Sequence, residues 1–81
     1  MTVERIRALH QAEPFQAFVI HVADGRSIDV PRRELLALGP TGRTVVAYDT
    51  HDDVHCVDVT MITDLEIRPK ASGRSMRRRG R

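Results

Sequence analysis

Tryptophan is absent from this 81-residue chain, and the aromatic residues are only Phe15, Phe18 and Tyr48. No aromatic pair falls on a strand face beside basic residues. The base-stacking platform of many single-strand binders is therefore excluded. Cysteine occurs once, at Cys56. That excludes an internal disulfide and fits a reducing cytoplasm. No long apolar run occurs. The opening MTVERIRALHQAE has neither the core of a secretory leader nor the length of a membrane span. A glycine-rich phosphate loop is missing too, because GPTG at 39–42 lacks a following Lys-Ser/Thr. The length allows one domain. A domain this small buries only ~60% of its unfolded surface, so its stability is modest unless it oligomerises.

What the chain does have is a lopsided charge. Residues 69–81, PKASGRSMRRRGR, hold Lys70, Arg74, Arg77, Arg78, Arg79 and Arg81 and no acid. The first 68 residues hold seven basic and eleven acidic residues, a net of −4. The division is therefore a folded, mildly acidic domain over 1–68 and a basic tail over 69–81. With only Ala71 and Met76 as apolar residues, the tail is expected to be disordered.

Asp24-Gly25 lies between two β-favouring runs and signals a hairpin. A two-residue loop would mix apolar and polar residues on each face. A three-residue loop, Ala23-Asp24-Gly25, puts Phe18, Ile20, Val22, Ile28 and Val30 on one face. It sets His21 against Ser27 and Val19 against Asp29 on the other. Facing pairs share a side of the sheet, so the pattern predicts the longer loop, with Gly25 left-handed at a bulge.

Elsewhere, Thr2 is placed to cap a short helix with Val3, Ile6 and Leu9 on its apolar stripe, and Pro14 ends that segment. RRELLAL, 32–38, reads either as a helical turn or as an irregular strand. Strands are expected over 44–49 and 55–61. Val45 and Ala47 lie opposite Val46 and Tyr48. Val57, Val59 and Met61 point inward, with Cys56, Asp58 and Thr60 outward. A last strand carries Leu65 and Ile67. Asp58, facing out, is expected to be dispensable. The fold class is mainly β. An N-terminal helix precedes about five antiparallel strands in a small, strongly bent SH3-like or Sm-like barrel, the sheet being too short to make two.

PFQAFVIHVADGRSIDVPRREL, 14–35, resembles a pattern of short bacterial proteins: Pro-Phe, an apolar strand, Asp-Gly-Arg, and a strand ending in a basic-acidic turn. That resemblance implies no activity. The element order, with DG after the first strand, is similar to the Sm-like (Hfq-like) fold. It implies rings that bind RNA. ELLALG lacks the acidic residue of the Sm pattern, and MITDLEI stands where the Hfq type has Lys-His, so no RNA-binding residue carries over.

YDTHDDVHC, 48–56, gathers Asp49, His51, Asp52, Asp53, His55 and Cys56, all potential metal ligands. On a strand His55 and Cys56 point opposite ways, so a solvated acidic loop is the expected reading, without metal or cofactor. His21 with Ser27 and Asp29 invites comparison with a hydrolytic triad, but a polar sheet face explains it. No enzyme is expected. Guanidinium groups suit phosphate oxygens. The expected partner is thus RNA or DNA backbone, gripped by Lys70, Arg74, Arg77, Arg78, Arg79 and Arg81. The chain is a candidate homo-oligomer, with no membrane role. The alternative is a protein-interaction domain that docks through a sheet edge, the tail being incidental.

Overall fold

The computed structural model describes residues 1–49 and 51–68. The helix α1 (Val3–His10) is followed by β1 (Phe18–Val22) and β2 (Ser27–Val30). A 3-10 turn, Arg33–Leu35, leads to β3 (Leu36–Leu38), β4 (Thr44–Tyr48) and β5 (Val54–Asp58). A second 3-10 turn, Val59–Met61, leads to β6 (Ile62–Ile67).

The first hairpin has the register its apolar pattern predicts: Phe18 faces Val30, Ile20 faces Ile28 and His21 faces Ser27. Gly25 N–H donates to the Val22 carbonyl and Val22 N–H to the Arg26 carbonyl, each at 2.9 Å. Gly25 has φ +99°. These are the bonds of a turn over Ala23 and Asp24 closed by a glycine bulge. Asp24 tightens it, accepting from the backbone N–H and the Nε of Arg26 at 3.0 and 2.9 Å.

Among the described residues the strands number six, one more than the pattern suggested, and they form two sheets rather than one. The orders are β2-β1-β6 and β3-β4-β5, antiparallel throughout. No closed barrel is found among the described residues. The ambiguous RRELLAL segment is both things at once: the turn Arg33–Leu35 and then a strand. That turn hands the chain from the first sheet to the second. Three strands per sheet suffice because the sheets share one core. Phe18, Ile20 and Val30 come from one sheet, Leu36, Val45 and Val57 from the other, and Ile6 from α1.

Alternation holds through β5 and then fails. Val57 and Val59 are buried, but Met61 is 43% exposed, against the expectation that it points inward. The 3-10 turn at Val59–Met61 breaks the two-residue period. Asp58 creates that turn: its Oδ1 accepts from Thr60 N–H at 2.9 Å and from Thr60 Oγ1 at 2.8 Å. It is therefore a cap and not a dispensable surface residue. On β6, pairing with β1 shifts between His21 and Val22, leaving Thr63 as the extra residue. The shift lets both Ile62 and Leu65 face inward although they are three apart. Ile67 lies at the sheet end, 48% exposed.

Thr2 stands at the N-cap position in extended conformation but makes no side-chain capping bond. The other end of α1 is held from outside. Arg33 donates from Nε to the His10 carbonyl at 3.0 Å and from Nη2 to the Ala12 carbonyl at 2.6 Å. It satisfies C-terminal carbonyls that no helical N–H can reach and places a cation at the negative end of the dipole. Its guanidinium also lies 5.6 Å from the centre of the Phe15 ring.

Candidate functional site

The tail residues Lys70, Arg74, Arg77, Arg78, Arg79 and Arg81 lie outside the described residues. Three surfaces of the described domain gather chemistry.

The first is the outer face of sheet β2-β1-β6. Ser27 Oγ lies 3.1 Å from His21 Nδ1, and His21 Nε2 donates to Glu66 Oε1 at 2.9 Å. The carboxylate can only accept, so His21 carries a proton on Nε2, and in that tautomer its Nδ1 accepts a hydrogen bond from the Ser27 hydroxyl. Asp29 is not the acid of this set. It accepts from Arg68 at 2.9 Å, a bond that spans β1. Between these pairs stands Val19, only 4% exposed, with Asp29 and Glu66 as its cross-strand neighbours. The set lacks the setting of a hydrolytic centre. The Glu66 side chain is 62% exposed, where water weakens electrostatic assistance. A shallow depression of about 180 Å³, lined by Ala17, Phe18, Asp29, Val30, Pro31 and Arg68, does not include His21 or Ser27. The arrangement is a cross-strand polar ladder.

The second is the loop from Asp49 to Asp53. Asp49 Oδ1 accepts from His51 N–H at 2.8 Å and Asp53 N–H at 3.0 Å. Its Oδ2 accepts from His55 Nε2 at 3.0 Å. The His55 bond foremost, and then the His51 N–H, hold the Asp49 carboxyl below its usual range. Asp52 takes the left-handed conformation at φ +68°, which Asp tolerates better than most side chains. The cluster is thus organised around one acceptor whose oxygens are already committed. Among the described residues no three His, Cys, Asp or Glu side chains are grouped to hold a metal ion.

The third is the outer face of sheet β3-β4-β5. Ala37, Val46 and Cys56 form one cross-strand row, and Tyr48 and Val54 the next. Tyr48 is 44% and Val54 55% exposed. Beside them runs the outer edge of β5, unpaired among the described residues. The Asp49 N–H to Asp53 carbonyl bond (3.0 Å) and the Val59 N–H to Arg43 carbonyl bond (2.8 Å) fix the ladder phase. Odd-numbered residues of β5 bond to β4. The N–H and C=O groups of Val54, Cys56 and Asp58 therefore point away from β4, to the open edge. Sequence reading placed Val46 and Tyr48 together but missed Val54, which follows the acidic run and reads as part of the loop. The phase of the ladder has no signal in residue type.

Compared with family models, with curated proteins and with solved structures, the chain shows no match in any of the three.

Proposed function

We propose that the chain is a non-enzymatic binding module that takes an extended segment of a protein partner onto the open edge of β5. The observation that carries this reading is the placement of exposed Tyr48 and Val54 directly beside backbone groups of Val54, Cys56 and Asp58 that are unpaired among the described residues. Main-chain bonds to an added strand supply affinity, and alternate side chains against the apolar face supply selectivity. We further read the two sheets as a partly open, bent SH3-like or Sm-like barrel. In support, β2 passes into β3 through one short turn and β5 into β6 through another. The single, exposed Cys56 supports a cytoplasmic setting.

The test is a panel of displayed ten-residue peptides with alternating apolar residues, followed by NMR titration of those enriched. Shifts confined to the amides of β5 and the Tyr48 ring support the reading. Binding that leaves β5 untouched, or none, removes it.

A second reading is favoured by the charge asymmetry: six basic residues and no acid over 69–81, against −4 over 1–68. Here the tail grips the phosphate backbone of RNA or DNA. With four or five arginines engaged, log K against log salt has a slope of about −3 for single strands. Anisotropy of a labelled oligonucleotide across a salt series decides. Replacing Arg77, Arg78 and Arg79 by Gln should abolish binding, and replacing them by Lys should keep much of it. No binding by the intact chain at low salt removes this reading.

A further inference from the structure

We propose that the partner strand at β5 comes from a second copy of this chain, paired antiparallel about a two-fold axis through Cys56. The proposal rests on the strand-addition reading above.

The ladder phase restricts the registers. Only even-numbered residues of β5 present backbone groups to the edge, so they must bond to even-numbered residues of the copy. A two-fold axis at Cys56 satisfies this. Cys56 then faces Cys56 of the copy, and Val54 faces Asp58 of the copy. On the outer face, the row Ala37, Val46, Cys56 continues into its own mirror image, giving one apolar stripe across a six-stranded sheet. Such self-complementarity is what an isologous contact requires.

Charge selects the direction. The loop holding Asp49, Asp52 and Asp53 lies at the start of β5, and Arg43 pairs opposite Val59 just past its end. Arg43 already acts on the Asp58 carboxyl there, lowering it after the larger effect of the Thr60 bonds. A parallel arrangement would set the two acidic loops side by side. The antiparallel one brings Asp53 into the cross-strand row of Val59 and Arg43 of the copy, twice by symmetry. Size sets the strength. A five-residue strand whose exposed apolar side chain Val54 is joined only by Tyr48 of β4 falls short of the ~800 Å² per partner of stable interfaces. The dimer is therefore reversible and concentration-dependent.

Sedimentation of the full chain under reducing conditions, over a wide concentration range, tests it with three substitutions. Wild type should pass from monomer to dimer. Val54→Asp sets like charges against Asp58 of the copy at two places and should shift the transition at least tenfold to higher concentration. Val54→Lys meets the same Asp58 with opposite charge and should dimerise as well as wild type or better. Ile67→Lys, on the other sheet, should change nothing. Circular dichroism melts show that each variant is folded. A monomer at every concentration overturns the proposal. So does equal weakening by Asp and Lys at position 54, or disruption by Ile67→Lys. For a monomer, the peptide titration separates the two ideas: uptake of strand peptides leaves the binding-module reading standing, and no uptake removes both.

Discussion

His10 and Arg33 hold each other by two bonds that run in opposite directions. His10 Nε2 donates to the Arg33 carbonyl at 3.1 Å, and Arg33 Nε donates to the His10 carbonyl at 3.0 Å. This closes the end of α1 onto the turn that joins the two sheets. Arg33→Ala leaves two helix-end carbonyls without their charged donor and should cost about 2 kcal/mol in urea unfolding. Arg33→Lys should recover only part, since an ammonium lacks the fork that reaches both carbonyls. Equal stability of all three proteins would show that the clamp contributes nothing.

Two glycines are needed for different reasons. Gly25 has open space around it but a positive φ, so Gly25→Ala should cost about 1 kcal/mol and Gly25→Asn less. At Gly39 an added Cβ would lie 2.6 Å from Thr44 Oγ1 and 3.2 Å from the Thr44 carbonyl oxygen. Gly39→Ala should cost about 1–3 kcal/mol through overpacking, and Thr44→Ala in the same chain should relieve part of it.

The turn after β5 separates two residues that simple alternation treats alike. Val59 is 5% exposed and Met61 43%. Val59→Ala should cost about 2 kcal/mol, and Met61→Ala less than about 0.5. Denaturant melts in which Met61→Ala costs as much as Val59→Ala would restore an uninterrupted strand through 61.

Acid stability follows from three carboxyls. Asp24, Asp49 and Asp58 are each held below the ordinary value of 3.8, chiefly by the Arg26 N–H, the His55 side chain and the Thr60 N–H respectively. A carboxyl lowered in the folded state adds stability that is complete above its unfolded value and fades as pH falls through its folded value. Unfolding free energy should therefore be retained above pH 4 and decline below 3.8. Asp49→Asn should flatten part of that decline. An unchanged profile in Asp49→Asn would exclude Asp49 as a contributor.

The first hairpin was legible to the residue, because a one-place slip would have put Ile28 and Val30 in water. The loop around Asp49 was legible as a loop, though the grip of Asp49 on His55 was not. What stayed hidden was set by backbone geometry. The 3-10 turn at Arg33–Leu35 splits what could be one strand into two, so the sheet count could not be read from hydrophobic period. Thr63 acts as an extra residue only because β6 must keep Ile62 and Leu65 inward against β1. Glu66 reaches His21 from 45 positions away, beyond any local pattern. The exposed row of Tyr48 and Val54 could be seen only once β4 and β5 were in register.

Backbone amide hydrogen exchange along β5, at low and high protein concentration, tests most directly whether its outer edge is open in one chain and filled by another. His55 and Val57 bond to β4 and should exchange slowly at both concentrations. Val54, Cys56 and Asp58 should exchange quickly when dilute and become protected when concentrated. Protection of those three at the lowest concentration, or its absence at the highest, would contradict the account.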